Sequence, residues 1–448
     1  MLEQKDKKTV EAWKSLEYGM FIHVGLYSIL GGVYKGKDIT RGYSEQILSH
    51  ARMPQLDYEN IAKEFTFHEF DAEKIAQLAV DSHMKYIVIT AKHHDGFCLF
   101  DTKTTSYNTM NTPFQNDVVG LLSKACKKYG IKLGIYFSWI DWHFPQAHPI
   151  SESNSDPITT SHQDYNIAQL NELLTQYGDI CELWMDMGHP TVEQSKQLYH
   201  LSHSLQPSMM INSRIWNDQG DFLTMSDNAL PTVLLDTPWQ TPASIYQQTW
   251  GYRSWQKREH LEEKIEELSK THAHVIEQGG NYLLNIGLTG TGAVVEYEKD
   301  VLLGIGKSIE RQKPQRIKQH PLIEITQQPL FTQFPIGEKI CRYTGQEYYS
   351  FRPIVTGLKW LLHIKEKGSY SFSITSQSKI TKEIKLGFTI NNETTYFTFQ
   401  KGETEYVITE SLPLEAMSYT ITLHTVGNEK TRSEFPNQLV TLSMNKNK

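Results

Sequence analysis

Residues 85–97 read Lys-Tyr-Ile-Val-Ile-Thr-Ala-Lys-His-His-Asp-Gly-Phe. The run Lys85 to Thr90 has the length and β-branched content of a buried strand, and a cluster of polar and aromatic side chains succeeds it rather than more Val or Ile. The pattern repeats on both sides. Upstream, Asp71 is placed to cap a helix whose apolar face carries Ile75, Leu78 and Ala79. Downstream, Asp117 opens a helix bearing Val118, Leu121, Leu122 and Ala125, and Gly130 stops it. Further strand candidates are Tyr18 to Val24, Leu133 to Ser138, Ile180 to Asp186, Met209 to Ser213, Val233 to Asp236 and Asn281 to Ile286. Helical period returns over Asp164 to Tyr177, ended by Gly178, and over Lys257 to Gln278, closed by Gly279-Gly280. Seven strands alternating with helices predict βα units around a parallel sheet. The economical closure is a (β/α)8 TIM-like barrel over residues 1–310.

Beyond the Lys/Arg/Gln-rich stretch Arg311 to Gln319 the texture changes. Tyr370 to Thr375, Lys385 to Ile390, Thr394 to Phe399, Tyr406 to Thr409 and Tyr419 to Leu423 alternate apolar and polar residues between Gly, Asn and Ser turns. This predicts an antiparallel β-sandwich over 320–448, with a polar tail from Met444. The 448 residues carry 44 Lys+Arg against 51 Asp+Glu, a formal charge of −7 with no basic stripe, so nucleic acid is not the expected partner. No apolar run approaches the roughly 18 residues of a membrane-spanning helix, and no apolar segment follows the charged N-terminus. The expectation is no membrane partner and a cytoplasmic location. Cys98, Cys126, Cys181 and Cys341 lie far apart and read as thiols.

Chemistry concentrates where strands end. His93 and His94 bring several donors to one mouth, as for sugar hydroxyls. As metal ligands they are poor, because adjacent residues of an extended strand point to opposite faces, and no H-x-H or H-E-x-x-H spacing lies nearby. No metal and no cofactor is expected. In Glu182-Leu183-Trp184-Met185-Asp186, a carboxylate closes a buried strand, which is costly unless neighbours stabilise its charge. A helix cap is the plainer reading of Asp186. A third segment, Pro238-Trp239-Gln240-Thr241-Pro242 followed by Trp250-Gly251-Tyr252, reads as a Trp-rich loop at the mouth. The 9 Trp, 23 Tyr and 18 His suit sugar rings, which show one apolar face and a rim of hydroxyls.

Taken in order, Gly19-Met20-Phe21-Ile22-His23, Lys92 to Phe97, Gly134 to Ser138 with Asp141-Trp142, Trp184-x-Asp186, Asn212-x-Arg214 and Gly279 to Gly287 resemble the glycoside hydrolase family 29 α-L-fucosidases over roughly residues 13–300. The resemblance implies a retaining exo-acting fucosidase that works through a covalent fucosyl-enzyme, with a small fucosylated oligosaccharide or fucose as its partner. Asp186 falls at the family's nucleophile. Arg214 stands at its sugar-contacting arginine, the group expected to keep Asp186 ionised. His23, His93, His94, Tyr136, Trp184 and Trp239 match sugar-binding positions, and Glu45 matches in Glu45-Gln46 where Glu-Trp is common.

One position departs from the family pattern. Where many relatives carry a Trp-Glu whose Glu is the acid/base, this chain has Trp239-Gln240, and an amide has no proton to give. Three readings are open. Gln240 is an introduced Glu→Gln change that impairs a fucosidase, another carboxyl (Glu45, Asp221, Asp227 or Asp236) takes the role, or the chain is a non-catalytic fucose-binding protein. Linkage preference would reside in the loops Gly31 to Arg41, Phe144 to His162 and Gln219 to Leu230.

Overall fold

The computed structural model describes residues 6–145, 155–231, 234–235, 237–311, 330–331, 338–342, 346–350, 357–363, 367–376, 383–390, 393–415, 418–425 and 440–446. Eight parallel strands form one sheet: β1 (Tyr18–His23), β2 (Tyr86–Lys92), β3 (Lys132–Ser138), β4 (Ile180–Asp186), β5 (Met210–Ile211), β6 (Leu223–Thr224), β7 (Trp239–Ser244) and β8 (Asn281–Gly287). Their order is β5-β4-β3-β2-β1-β8-β7-β6, so every strand lies beside its neighbours in sequence. A parallel bridge between Asn212 and Phe222 joins β5 to β6, the two ends of that order, and the sheet curls back on itself as in a TIM-like barrel.

Helices follow six of these strands: α1 (Ala72–Asp81), α2 (Val118–Tyr129), α3 (Thr160–Gln176), α4 (Val192–Leu205), α5 (Leu261–Glu277) and α6 (Glu296–Arg311). Among the described residues no α-helix follows β5 or β6. Local signals explain the helix starts. Asp71 accepts from the Glu73 and Lys74 N–H groups, Asp117 from Gly120 N–H, Thr159 from His162 N–H and Thr191 from Gln194 N–H. Gly130 ends α2 at φ +71°.

Two strand expectations fail. Val233 to Asp236 is no barrel strand: Leu234–Leu235 pairs instead with Leu330–Phe331, while Val233 and Asp236 lie outside the described residues. The barrel strands β6 and β7 come from 223–224 and 239–244, the second of which read as a loop because two prolines flank its start. A two-residue strand carries too little periodicity to be seen in sequence.

By internal contacts the chain forms two compact units. The first is Met1–Leu230, Pro238–Lys313 and Gly337–Phe351; the second is Pro231–Thr237, Pro314–Ile336 and Arg352–Lys448. A single cut between 310 and 320 therefore misses two exchanges. The second unit holds a six-stranded sheet and a three-stranded sheet. Phe372 and Ile374 of the smaller sheet share one hydrophobic cluster with Phe388, Phe399, Ile421 and Leu423 of the larger. The expected polar tail is in part a strand, Val440–Lys446, paired antiparallel with Gly368–Ser376.

The N-terminal end of the barrel is polar and closed. Trp13, from the helix Lys7–Lys14, is buried there, stacks on Phe222 at 4.3 Å between ring centres, and donates its indole N–H to Glu182 Oε2 at 2.9 Å. Asn281 Nδ2 donates to the Trp13 carbonyl at 3.0 Å. Replacing Trp13 by Ala removes a large buried ring and one donor to a buried carboxylate. The expected cost is about 3–5 kcal/mol, read as a lowered urea midpoint.

Candidate functional site

The opposite end of the barrel gathers the titratable groups. On β4, Glu182, Trp184 and Asp186 share one face because side chains alternate, and only Asp186 reaches the C-terminal rim. Its Oδ1 accepts from Arg214 Nη1 at 2.9 Å. The same guanidinium donates through Nη2 to Asp227 Oδ1 at 2.8 Å and to the Met225 carbonyl at 3.3 Å. One cation therefore holds two carboxylates, and the Asp227 side chain is the more open, 31% exposed against 11% for Asp186. Arg214 lies over the Trp184 ring at 4.8 Å.

Burial raises the Asp186 pKa above its ordinary value, and Arg214 is the chief opposing influence. The guanidinium thus offsets part of the desolvation of Asp186 without cancelling it. For Arg214, burial works against its charge, but Asp186 and Asp227 outweigh it and the net shift is upward. The arginine stays protonated.

A directed hydrogen-bond chain reaches Asp186 from the other side. The backbone N–H of His94 donates to His93 Nδ1 at 2.9 Å, and His93 Nε2 lies 3.1 Å from the Tyr136 hydroxyl, which donates to Asp186 Oδ2 at 3.0 Å. Burial pushes the His93 pKa well down, so the ring is neutral. With Nδ1 accepting, the remaining proton sits on Nε2 and is given to Tyr136, leaving the tyrosine proton for Asp186.

His23 and His94 are also neutral, each lowered to about 3 by burial. Asn285 holds His23 through Nδ1 at 2.6 Å, and its own amide donates to the Trp250 carbonyl at 2.7 Å. His94 gives its Nε2 proton to the Glu45 carbonyl at 2.8 Å, and its Nδ1 has no partner among the described residues, a buried acceptor of the kind a hydroxyl satisfies. Glu45 is buried, accepts from Gly251 N–H at 3.0 Å, and is raised to about 7 by desolvation.

The two histidine rings are 4.2 Å apart, not on opposite faces, because β2 ends at Lys92 and the alternation ends with it. Asp95 locks this turn, accepting from Tyr58 O–H at 2.7 Å and Phe97 N–H at 3.3 Å, and Gly96 takes φ +80°. Among the described residues no group of three or more His, Cys, Asp or Glu side chains is arranged to hold a metal ion.

Trp239 and Gln240 lie elsewhere than expected. They begin β7, and strand starts face the closed end of the barrel: Trp239 pairs with Leu223 and packs on Gly280, while Gln240 pairs with Asn281. Gln240 is fully buried. Its amide donates to both Glu182 oxygens and to Tyr86 O–H at 3.0 Å, and its carbonyl accepts from Trp184 Nε1 at 2.7 Å. It is thus level with Glu182, four residues and on the order of 13 Å below Asp186 at about 3.3 Å per residue. The Trp184 indole lies between them.

Of the other carboxyl candidates, Asp221 is buried away from this cluster, accepting from Tyr199 O–H and Ile211 N–H, each at 2.8 Å, with His203 at 3.0 Å. Asp236 is outside the described residues. Glu45 and Asp227 remain at the site. Sequence reasoning assigned no role to Asn285 or to Asn212, whose amide makes two 2.9 Å bonds to the Met185 backbone and so fixes the residue before Asp186. Their place inside the segments Asn212-x-Arg214 and Gly279 to Gly287 was the available signal.

The family model for alpha-L-fucosidase matches residues 1–313. The chain belongs to the alpha-L-fucosidase family. It is 27% identical over 335 residues to the putative alpha-L-fucosidase of Caenorhabditis elegans, covering 68% of this chain and 66% of that one. To the tissue alpha-L-fucosidase of Homo sapiens it is 26% identical over 340 residues, covering 70% and 72%. The chain thus spans about two thirds of the length of the curated relatives it matches. Among solved structures it resembles alpha-L-fucosidase AlfC from Lactobacillus casei in complex with alpha-L-fucose, at 32% identity, 68% of this chain, 99% of that chain and TM-score 0.62. A Bacteroides thetaiotaomicron alpha-L-fucosidase shares the fold over 95% of this chain and 97% of its own, at 23% identity and TM-score 0.62.

A fucosidase with a carboxamide at its acid/base would gain from Gln240→Glu. The geometry here predicts the reverse. Glu182 is already raised by burial from its ordinary 4.5 to about 7, so it favours the folded state at acid pH and withdraws that support as pH rises through 7. A second carboxyl against it loses the amide donors and adds like charge. Gln240→Glu should cost about 3 kcal/mol or more, increasingly so above pH 7, with no gain in turnover. Thermal unfolding at pH 5.5 and 8 checks it.

Proposed function

We propose that this chain is a retaining exo-α-L-fucosidase in which Asp186 is the nucleophile and Asp227 the acid/base. The observation that carries the reading is the single Arg214 guanidinium gripping both carboxylates. A shared cation suits the separation of about 5–5.5 Å that retaining glycosidases use. In the first step a carboxylate oxygen of Asp186 bonds to the anomeric carbon as the bond to the leaving oxygen breaks, and the Asp227 proton passes to that oxygen. The ester removes one negative charge from the Arg214 cluster, leaving the guanidinium to hold Asp227 as a carboxylate. Asp227 then takes a proton from water, the water oxygen bonds to the anomeric carbon, and Asp186 departs, so that configuration is retained.

His23, His93, His94, Glu45, Tyr136, Trp184 and Arg214 supply the pocket for the fucosyl ring. Neutral imidazoles suit a neutral sugar: His94 keeps Nδ1 as an acceptor for a hydroxyl, while His93 acts through Tyr136. The substrate class is terminal L-fucose on a small oligosaccharide; AlfC, the 32% identical relative, has been solved with Fuca(1,6)GlcNAc. A fucose-binding protein without catalysis was suggested by Gln240 alone, and that residue is bonded to Glu182 rather than facing Asp186. The pair of sheets in the second unit, with their shared hydrophobic cluster, reads as the two layers of a β-sandwich.

The decisive experiment compares the parent, Asp186→Ala and Asp227→Ala on an aryl α-L-fucoside, with and without azide. Asp227→Ala should lose about 10²–10⁴ in rate, and azide should restore turnover as α-L-fucosyl azide, because the adduct on Asp186 survives. Azide product of β configuration from Asp227→Ala, or rescue of that kind in Glu45→Ala instead, would reassign the acid/base. A parent that binds fucose yet hydrolyses nothing would defeat the enzyme reading.

Tyr136 supplies a second check. Its hydroxyl bond lowers the Asp186 pKa, so removing it raises that pKa further. Tyr136→Phe should move the acid limb of the kcat/KM profile to higher pH and cost about tenfold or more in kcat/KM below it, as expected for a lost bond to a charged group. An unmoved limb would deny the contact.

A further inference from the structure

Side chains alternate along β8, so Leu283 and Asn285 share one face, and Leu283 packs with Phe21 of β1 in the barrel interior. Asn285 is 3% exposed, and a buried amide is costly unless both of its ends are bonded. Both are. Nδ2 donates to the Trp250 carbonyl at 2.7 Å, and Oδ1 stands 2.6 Å from His23 Nδ1. Turned over, the amide would set its oxygen against the Trp250 carbonyl oxygen, so the end that meets His23 is the oxygen, which can only accept. The segment that carries the Trp250 carbonyl is held in turn: Gly251 donates its N–H to Glu45 Oε2 at 3.0 Å and accepts from Thr249 Oγ1 at 2.8 Å.

His23 Nδ1 therefore carries a proton. Burial keeps the ring neutral, so that proton is its only one and Nε2 is a bare acceptor. Among the described residues Nε2 has no hydrogen-bond partner. The ring centre lies 5.5 Å from that of His93 and 5.7 Å from that of Tyr136, the two residues whose hydrogen-bond chain ends on Asp186. His94 is set the opposite way round: the Glu45 carbonyl takes its Nε2 proton, and Nδ1 is the bare nitrogen. Each of these two neutral rings thus has its acceptor chosen by a partner on its other nitrogen. An aspartate at position 285 would hold the same tautomer but favour the imidazolium, whereas the amide fixes the proton without adding charge.

We propose that Asn285 is a positioning residue: by holding the His23 proton on Nδ1 it leaves Nε2 as an acceptor for one hydroxyl of the bound sugar, and so makes the site select a sugar that donates a hydrogen bond there. The inference rests on the fucosidase reading above and adds which nitrogen of His23 meets the sugar and what fixes it. Selection works through the cost of an unmade bond. A hydroxyl turned toward Nε2 fills the bare lone pair, whereas a hydrogen atom in its place leaves a buried acceptor unsatisfied. Without Asn285 the proton is free to move to Nε2, and the ring then meets the same hydroxyl with the wrong polarity.

The test has a spectroscopic arm and a kinetic one. Ring ¹⁵N shifts of the parent, with the His23 signals identified by their loss in His23→Gln, should show a protonated Nδ1 and a bare Nε2 at pH 7. In Asn285→Leu, which keeps the shape of the side chain and removes its oxygen, the proton should shift toward Nε2. The kinetic arm compares an aryl α-L-fucoside with its 2-, 3- and 4-deoxy analogues. Asn285→Leu should lower kcat/KM on the full fucoside about tenfold, as for one lost hydrogen bond, and by much less on the one analogue that lacks the hydroxyl facing His23. Asn285→Ala should show the same selective loss if the leucine variant is unstable. A proton on Nε2 in the parent, an unmoved proton in Asn285→Leu, or equal losses on all four substrates would overturn the positioning role alone. A parent that hydrolyses none of the fucosides would overturn the fucosidase reading and the selection with it, whatever the tautomer.

Discussion

Two carboxylates at the mouth of a barrel repel each other and lose hydration, and one half-buried guanidinium resolves both problems. Arg214 donates to Asp186 and to Asp227 from adjacent nitrogens and lies over Trp184, so charge, distance and orientation are set by a single side chain. Desolvation still leaves the Asp186 pKa raised, which places the group between a fully stabilised anion and a neutral acid. Tyr136, directed by His93, supplies the second donor. Asn212 and the short turn through Ser213–Ile215 hold the arginine where it can serve both partners.

The barrel interior is a stack of layers with different jobs. At the closed end Trp13, Gln240, Tyr86 and Glu182 form a saturated polar knot in which every Glu182 oxygen has a donor. Phe21, Tyr136 and Trp184 make the aromatic floor above it. Only over that floor do Asp186, the histidines and Asp227 meet. A buried carboxylate is tolerated at the bottom because it is fully hydrogen-bonded, and at the top because an arginine neutralises it. The same residue type therefore serves stability in one layer and chemistry in another, and position along the strand separates them.

This layering explains what was legible and what was not. The long strands β1 to β4 and β8 and the helices with acidic or threonine caps announce themselves through periodicity and capping residues. Asp186, the histidine pair and Arg214 stand at the ends of such strands, and the strand-end rule carries them to one rim. Gln240 misled because its neighbours Pro238 and Pro242 suggest a loop, whereas they flank the start of β7, and a strand start faces the other end of the barrel. β6 is two residues long, too short for any period to register, so nothing in the sequence singled out Asp227 from the other candidate carboxyls as the one that enters the site.

By itself the sequence determined the alternation of strands and helices, the polar strand ends and the set of residues that places the chain in its family, because these depend on local spacing and on side-chain type. Which carboxyl stands beside Asp186, which way the proton of His93 points and which end of the barrel Gln240 faces were decided only by tertiary structure. Each depends on the register between strands far apart in the chain, and a shift of one residue there turns a side chain from the interior to the outside.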